Sequence, residues 1–547
     1  MRIIAILLLS YTAIGTFPLF GQTADLVVKN ARIYTINPKQ PIAKAIAVRG
    51  DRILAVGDDM AKYTSASTKV IDAKGAALIP GLIDSHGHLA DLGDFLETLN
   101  LRGIASEREI VEKVRVAAMT AKPGEWIRGH AWDQNLWENK EFPTSAGISE
   151  AAPNNPVYLT RVDGHAAWVN SKAIEMADVN AATPDPAGGK IIRDARGKPT
   201  GVLVDRAQVL VARKIAQPTA ETVENRIKLA LAECARLGLT TVHDAGSSDE
   251  AISAFHRLAA RNAMPARVYV MIGGQGKLWD AYLAKGPEIG DFVTIRSIKL
   301  ISDGALGSRG AAMIDPYTDD RTNRGLLITD RATIRNVAEQ AIARGFQVNT
   351  HAIGDRGNRT VLEAYGDVLK TTNDKRFRIE HAQIVAPSDF PLFKKYSVIA
   401  SMQATHATSD MPWAETRIGK ERLKGAYAWQ TFLKLGVHVP NGSDFPVEEP
   451  NPMFGLYAAI TCMKQDGTPA NGWFPTQRLS RAEALKSWTL EGAYAAFEEK
   501  QKGSLEPGKL ADFILLSDDI MTMPEANIWK TKVTTTVVGG RIVYERK

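Results

Sequence analysis

Cysteine is almost missing from this 547-residue chain: Cys234 and Cys462 are the only two. That excludes a disulfide scaffold and a thiolate metal cluster. Cys234 lies on a stretch with Val223, Ile227, Leu231 and Leu237 at helical spacing, so a buried free thiol is the expected state. Blocks of like charge are also missing. Lys and Arg number 67 against 61 Asp and Glu, a net charge of +6, and the pI is about 9.0. No basic stripe carries interleaved aromatics, so nucleic acid is not an expected partner. There is no Gly-x-Ser-x-Gly elbow, which removes the serine-hydrolase route, and Gly442-Ser443-Asp444 does not supply one. The chain has no internal repeat and no low-complexity tract, and after its first twenty residues no apolar run long enough to span a membrane.

What is present is a large globular composition, 45% hydrophobic and 23% charged, too long for one ordinary domain. Arg2 precedes an apolar run from Ile3 to Phe20, interrupted by Pro18 and closed by Gly21-Gln22-Thr23-Ala24. This pattern predicts a signal peptide over 1–22 and an exported, periplasmic or secreted, mature protein.

Both ends of the rest read as short strands. Ala45–Val48 and Arg52–Val56 flank Arg49-Gly50-Asp51, and Val533–Val538 and Arg541–Tyr544 flank Gly539-Gly540, two hairpin signals. Neither end has enough apolar faces to fold alone. Residues 23–78 and 505–547 are therefore expected to meet in one composite β-sandwich. Between them, over 79–504, helix alternates with strand. Helices ending at Gly238, Gly345 and Gly436 each lead into an apolar strand. Eight such strands can be counted: Ile79–His86, Leu239–Asp244, Ala266–Met271, Ser297–Asp303, Phe346–His351, Phe377–His381, Ser397–Gln403 and Val437–Asp444. An α/β fold with eight parallel strands closes as a (β/α)8 TIM-like barrel. The gap after the first strand is too long for one helix, so a large insertion, about 92–215, is expected there. Its own strands would include Trp126–Trp132 and Val157–Val162, and it could form a lid over the barrel mouth.

Active sites of such barrels sit at the C-terminal strand ends. Those ends carry His86 and His88, Lys299 and Asp303, His351, His381 and Asp444. Of ten histidines, five (86, 88, 243, 351 and 381) fall at or beside strand ends. His86 and His88, two apart in extended chain, point the same way. A lone His-x-His is weak, but followed in order by His, His and Asp at later strand ends it points to a shared metal site.

The run Pro80-Gly-Leu-Ile-Asp-Ser-His-Gly-His88 resembles the first metal motif of the amidohydrolase superfamily. Gly442-Ser-Asp-Phe-Pro-Val447 resembles its last-strand aspartate, and Gly503 to Phe513 the segment that returns to the sandwich. Asp163–Ser171, Asp303–Arg309 and His351–Asp355 look most like the large-insertion branch that holds the YtcJ-like and N-substituted formamide deformylase proteins. Nearly everything after the signal segment is covered. One departure is Gln403-Ala-Thr-His406, where proline is expected at 404.

The resemblance implies that His86, His88 and Asp444 hold one divalent metal and His351 and His381 a second, with Lys299 bridging as a carbamate. Lys299 lies inside the apolar run Ile298–Ile301. Burial lowers an amine's pKa, and the neutral amine is the form that adds carbon dioxide. The alternative is an uncarboxylated Lys299 paired with Asp303 or with substrate, and then a one-metal site. Imidazole and carboxylate donors suit zinc first, and manganese, iron or nickel as well. Metal lowers the pKa of a bound water toward about 7, and Asp444 would take its proton and pass it to the leaving nitrogen.

Substrate contacts are expected from Trp132, Asp163 and His165 in the insertion, from Arg309, and from Gln403 and His406. His243 and Asp303 are expected as supports behind the ligands. The reading is a hydrolase of a non-peptide carbon–nitrogen bond in a small-molecule amide, formamide or cyclic amide. An ester, lactone or phosphotriester hydrolase could use the same centre. A non-catalytic metal-binding barrel should lack a ligand or the proton shuttle, and this chain keeps every candidate. No stable membrane span is expected after signal removal, and a homodimer is compatible with the sequence.

Overall fold

The computed structural model describes residues 23–547 apart from 163, 165, 187 and 188. The expected signal segment, residues 1–22, lies outside the described residues. No helix among the described residues is long and apolar enough to cross a membrane.

The two chain ends build one sandwich. Its four-stranded sheet runs in the order Arg52–Gly57, Ala45–Arg49, Leu26–Lys29, Lys69–Asp72. Its six-stranded sheet runs Arg541–Glu545, Val533–Val538, Phe513–Leu516, Ala77–Pro80, Arg32–Tyr34, Ile42–Ala43. The ends join where Phe513–Leu516 pairs antiparallel with Ala77–Pro80, Ile514 opposite Ile79. Val28, Ile33, Ile46, Leu78, Phe513 and Val537 interdigitate between the sheets. Burying one such side chain stabilises by about 1.5–3 kcal/mol, while ordering each residue's backbone costs about 1–2 kcal/mol. Strands with one buried face cannot cover that cost alone, so each end needs the other.

The barrel strands are β1 (Leu82–Gly87), β2 (Leu239–Ser247), β3 (Arg267–Gly273), β4 (Val293–Ile301), β5 (Gln347–Ala352), β6 (Arg378–His381), β7 (Ile399–Gln403) and β8 (Asn441–Gly442). They pair in parallel from β1 to β8 in chain order. The barrel is closed by loop hydrogen bonds: Asp444 N donates to His86 O (2.7 Å) and His88 N to Phe445 O (2.9 Å). The expected (β/α)8 fold is therefore observed, with three corrections. Ile79 and Pro80 belong to the sandwich, so β1 begins at Leu82. β4 begins at Val293 and stops at Ile301, leaving Asp303 beyond its end. β8 shrinks to two residues. Val437–Pro440 still accepts from β7, through Ala400 N to His438 O and Met402 N to Pro440 O, but Pro440 has no N–H to return.

The crossover helices stop where glycine was expected to stop them. Arg331–Arg344 starts on the Asp330 side chain and ends on Gly345, whose φ of 80° suits a residue without Cβ. The insertion after β1 forms its own six-stranded sheet, from Leu99–Asn100 to Pro199–Asp205. It contains the two expected strands, as Ile127–Trp132 and Val157–Arg161, and four others. Trp132, Trp137 and Trp168 pack together in its core. Both cysteines are buried and free.

Candidate metal centre

Along β1, period-two alternation puts Asp84 and His86 on the inner face. Asp84 is fully buried and stitches β1 to β8, accepting from Ser443 Oγ (2.6 Å), Ser443 N and His86 N. Burial pushes its carboxyl up to about 7. Only a glycine fits opposite. A Cβ on Gly442 would come within 2.7 Å of His86 N and 2.8 Å of Asp84 Oδ1.

Above this stitch the chemistry converges. His88 Nε2 lies 3.0 Å from Asp444 Oδ1, and His86 Nε2 lies 3.6 Å from the same oxygen. His406 Nε2 lies 3.2 Å from Asp444 Oδ2. The ring of His381 is 4.5 Å from that of His351 and 4.9 Å from that of His86. Lys299 Nζ sits 2.9 Å from His86 Nε2. These groups line one cavity of about 490 Å³ at the C-terminal strand ends.

Alternation alone would not aim all of them inward. Arg378 and Glu380 share the inner face of β6, which would turn His381 away. His381 instead has φ 74°, and Asp444 has φ 59°. Both are left-handed non-glycine residues, a conformation costing of order 1–3 kcal/mol each. The backbone turns these two side chains into the cavity against its own preference.

The donors fit a divalent cation. One donor atom from each of His86, His88 and Asp444 lies within 4.8 Å of the others, and the same holds for His381, His406 and Asp444. His351 Nε2 is buried with no hydrogen-bond partner among the described residues, 3.6 Å from Asp303 Oδ1. Burial, with Lys299 next, pushes His86 well below the ordinary imidazole range and His351 down to about 3. Burial also holds His381 well below that range. Neutral imidazoles are the ligand form. Burial lowers the Lys299 amine from the ordinary lysine value. Burial opposes ionisation of Asp444, but His406, His86 and His88 outweigh it and hold the carboxyl well below the usual range.

Behind the ligands stand supports. Glu380 Oε2 lies 2.6 Å from His86 Nδ1. Gln403 Oε1 lies 2.8 Å from His381 Nδ1, and Glu448 Oε1 lies 3.1 Å from His406 Nδ1. Such partners set ring orientation and which nitrogen faces the centre. His243 is fully buried and takes Arg378 Nη1 at 3.1 Å (the same guanidinium donates to Ser85 O), so it supports the floor beneath His86. Asp303 accepts from Ile353 N, Gly354 N and Ala312 N. It pins the loops after β4 and β5, and burial raises its carboxyl to about 7.

Several expected substrate contacts are placed differently. Trp132 is sealed in the insertion core, its Nε1 donating to Leu159 O, because its apolar area is satisfied by Trp137 and Trp168. Arg309 is turned to Asp319 by a bidentate pair and does not line the cavity. Gln403 is spent on His381. His406 does line the cavity, but as a partner of Asp444. Asp163 and His165 lie outside the described residues. No described residue of the insertion lines the cavity. Its walls come from the ends of β4 to β8 and the loops after them, with Ile301, Leu306, Ile353, Trp413 and Val447 apolar and Gln383, Asp410 and Glu448 polar.

Sequence reasoning missed Glu380 and Asp84. The available signal was a carboxylate within two residues of a candidate ligand on a barrel strand, where a buried ionised group needs a partner. Gln383, Asp410 and Glu448 left no such signal, since none of them lies on a barrel strand.

Comparison with known proteins agrees with this geometry. A family model described as "Amidohydrolase family" matches residues 69–544. The chain is 34% identical to Protein LONG AFTER FAR-RED 3 of Arabidopsis thaliana, over 96% of this chain and 93% of that protein. It is 30% identical to the putative amidohydrolase YtcJ of Bacillus subtilis, over 94% and 98%. It is 26% identical to the N-substituted formamide deformylase of Arthrobacter pascens, over 96% and 99%. Among solved structures, a metal-dependent hydrolase from Pyrococcus furiosus superposes with a TM-score of 0.75 at 28% identity, covering 91% of this chain and 100% of that one.

Proposed function

This chain belongs to the amidohydrolase family, and from that premise we propose that it hydrolyses a non-peptide carbon–nitrogen bond in an amide, formamide or cyclic amide. The observation that carries the reading is the shared carboxylate. Asp444 meets His86 and His88 on one side and His381 and His406 on the other. His86, His88 and Asp444 would hold one cation, and His351 and His381 a second. His406 is a further donor to the second site. Zinc is the metal these donors suit first. Lys299 would bridge as a carbamate. Its buried amine faces imidazole nitrogen, with no carboxylate within 4 Å among the described residues.

A divalent cation there supplies an electrophile for the carbonyl oxygen and acidifies an attacking water toward a pKa of about 7. The chain supplies the rest. Asp444 takes the proton from the attacking water at a carboxylate oxygen and returns it to the leaving nitrogen. Glu380 and Gln403 fix the rings of His86 and His381. Leu306, Ile353 and Trp413 offer an apolar wall to the substrate's arm. The deformylase relative favours the formamide end of the class.

The test is to purify the protein, measure metal per chain, and screen N-formyl and N-acyl amines with released amine as readout. We expect one or two divalent ions per chain and release from at least one formamide. Metal-free protein that binds none of the offered divalent ions would end the reading. Lys299→Ala is expected to lose one metal equivalent, and an unchanged stoichiometry would remove the bridge.

A further inference from the structure

Beside the metal ligands the cavity wall carries a polar corner with no part in the steps above. Gln383 follows His381 by two residues and lines the cavity, with only 4% of its surface exposed. Its Nε2 donates to Asp410 Oδ2 (2.8 Å) and to Tyr427 Oη (2.9 Å). Tyr427 Oη in turn donates to Asp410 Oδ2 (2.7 Å). The phenol's one hydrogen is thus spent on the carboxylate, and its oxygen is left to accept. Both hydrogens of the Gln383 amide are spent as well. Flipping the amide would set its carbonyl oxygen against a carboxylate oxygen, so the orientation is forced. Tyr427 is fixed from behind by the rings of Trp473 and Phe474 and by its own N–H donating to Gln383 O. The remaining atom, Gln383 Oε1, accepts no hydrogen bond from any described residue.

We propose that Gln383 is a specificity-determining residue that reads an N–H donor on the substrate, so that secondary amides, which keep that N–H, are preferred over tertiary amides with the same arm. The inference rests on the amide-hydrolase reading of the same site. Three observations converge on it. The acceptor is held rigidly and cannot turn itself into a donor. It stands two residues from His381, so the donor it meets adjoins the scissile carbonyl. The other carboxylates on the cavity wall are already engaged, Asp410 by Gln383 and Tyr427 and Glu448 by His406 and Ser409. A largely buried acceptor left empty by an N-alkylated substrate forfeits a desolvation cost of about tenfold to a hundredfold in affinity.

The test uses the metal-loaded protein and two N-formyl amines with one apolar arm, one keeping its N–H and one N-methylated. Amine release gives kcat/KM, and calorimetry gives Kd. The N–H compound is expected to be favoured by about tenfold or more. Gln383→Met should shrink that preference to within about threefold with metal per chain unchanged. Tyr427→Phe, which frees one amide hydrogen, should narrow it too. Wild-type protein that treats the two compounds alike, or a Gln383→Met protein that keeps the full preference, overturns the inference. Should Gln383→Met fail to fold or lose metal, an undiminished preference in Tyr427→Phe overturns it instead. A binding preference without amine release would uphold Gln383 and sink the hydrolase reading. Release at equal rates from both compounds would do the reverse. Absence of both binding and release would sink both.

Discussion

The two ends of the same barrel bury charge in opposite ways. At the base, the buried cations among the described residues find a counter-charge or carbonyl inside the protein. Arg267 makes a bidentate pair with Asp512 at 2.8 and 3.1 Å, Arg376 makes one with Glu499, and Lys502 meets Glu498 at 2.7 Å. At the mouth, donors outnumber what the protein can satisfy. One carboxylate serves several imidazoles, and His351 Nε2 has no hydrogen-bond partner among the described residues. The base is a solved electrostatic problem, which is the signature of structure. The mouth gathers shared and perturbed ionisable groups in one cavity, which is the pattern expected of a candidate site.

The contrast can be broken at either end. The largest effect is expected from Asp444→Asn, which keeps the shape but removes the proton acceptor. Amine release should fall by about 10²–10⁴-fold while most metal stays bound, as read by kinetics and elemental analysis. Near-wild-type turnover would remove Asp444 from proton transfer. At the base, Arg267→Met strands a buried carboxylate and should cost about 3–5 kcal/mol in denaturant unfolding, with the metal content of the folded fraction unchanged. A pH series sharpens this. Burial opposes ionisation of Asp512, but Arg267 outweighs it and holds the carboxyl below its usual value. The pair's contribution is therefore present above the unfolded aspartate pKa of about 3.9 and is lost as pH falls through the lower folded value. The Arg267→Met protein should lose that acid-side slope. A smaller effect is expected for Glu380→Gln, about 10–100-fold in metal affinity, because Glu380 orients His86. Metal affinity unchanged by that substitution would make Glu380 part of the base pattern. Smallest of all, Arg309→Ala should leave kcat/KM within about twofold and stability within about 1 kcal/mol, since its pair with Asp319 is partly exposed.

Much of the fold could be read from the chain because its signals are local. Gly345 and Gly436 mark helix ends, apolar runs of strand length follow them, and their number closes a barrel. The candidate ligands could be named for the same reason, since each sits at or just past the end of one such run. The supports were not. His86 and Glu380 are 294 residues apart, and nothing near either names the other. Gln403 illustrates the limit: its position after β7 points to substrate, yet its oxygen is taken by His381.

By itself the sequence determined the α/β alternation, the eight strands, the sandwich made from both ends and the candidate ligands, because these follow from periodicity and from residues within a turn of one another. Tertiary structure alone decided which atoms meet. It turned His381 and Asp444 inward through backbone that period-two alternation does not contain, drew His406 to Asp444, and locked the Gln383 amide against Asp410 and Tyr427. Those outcomes depend on contacts between distant strands whose hydrogen-bonding demands must be met together, and no local pattern encodes a shared partner.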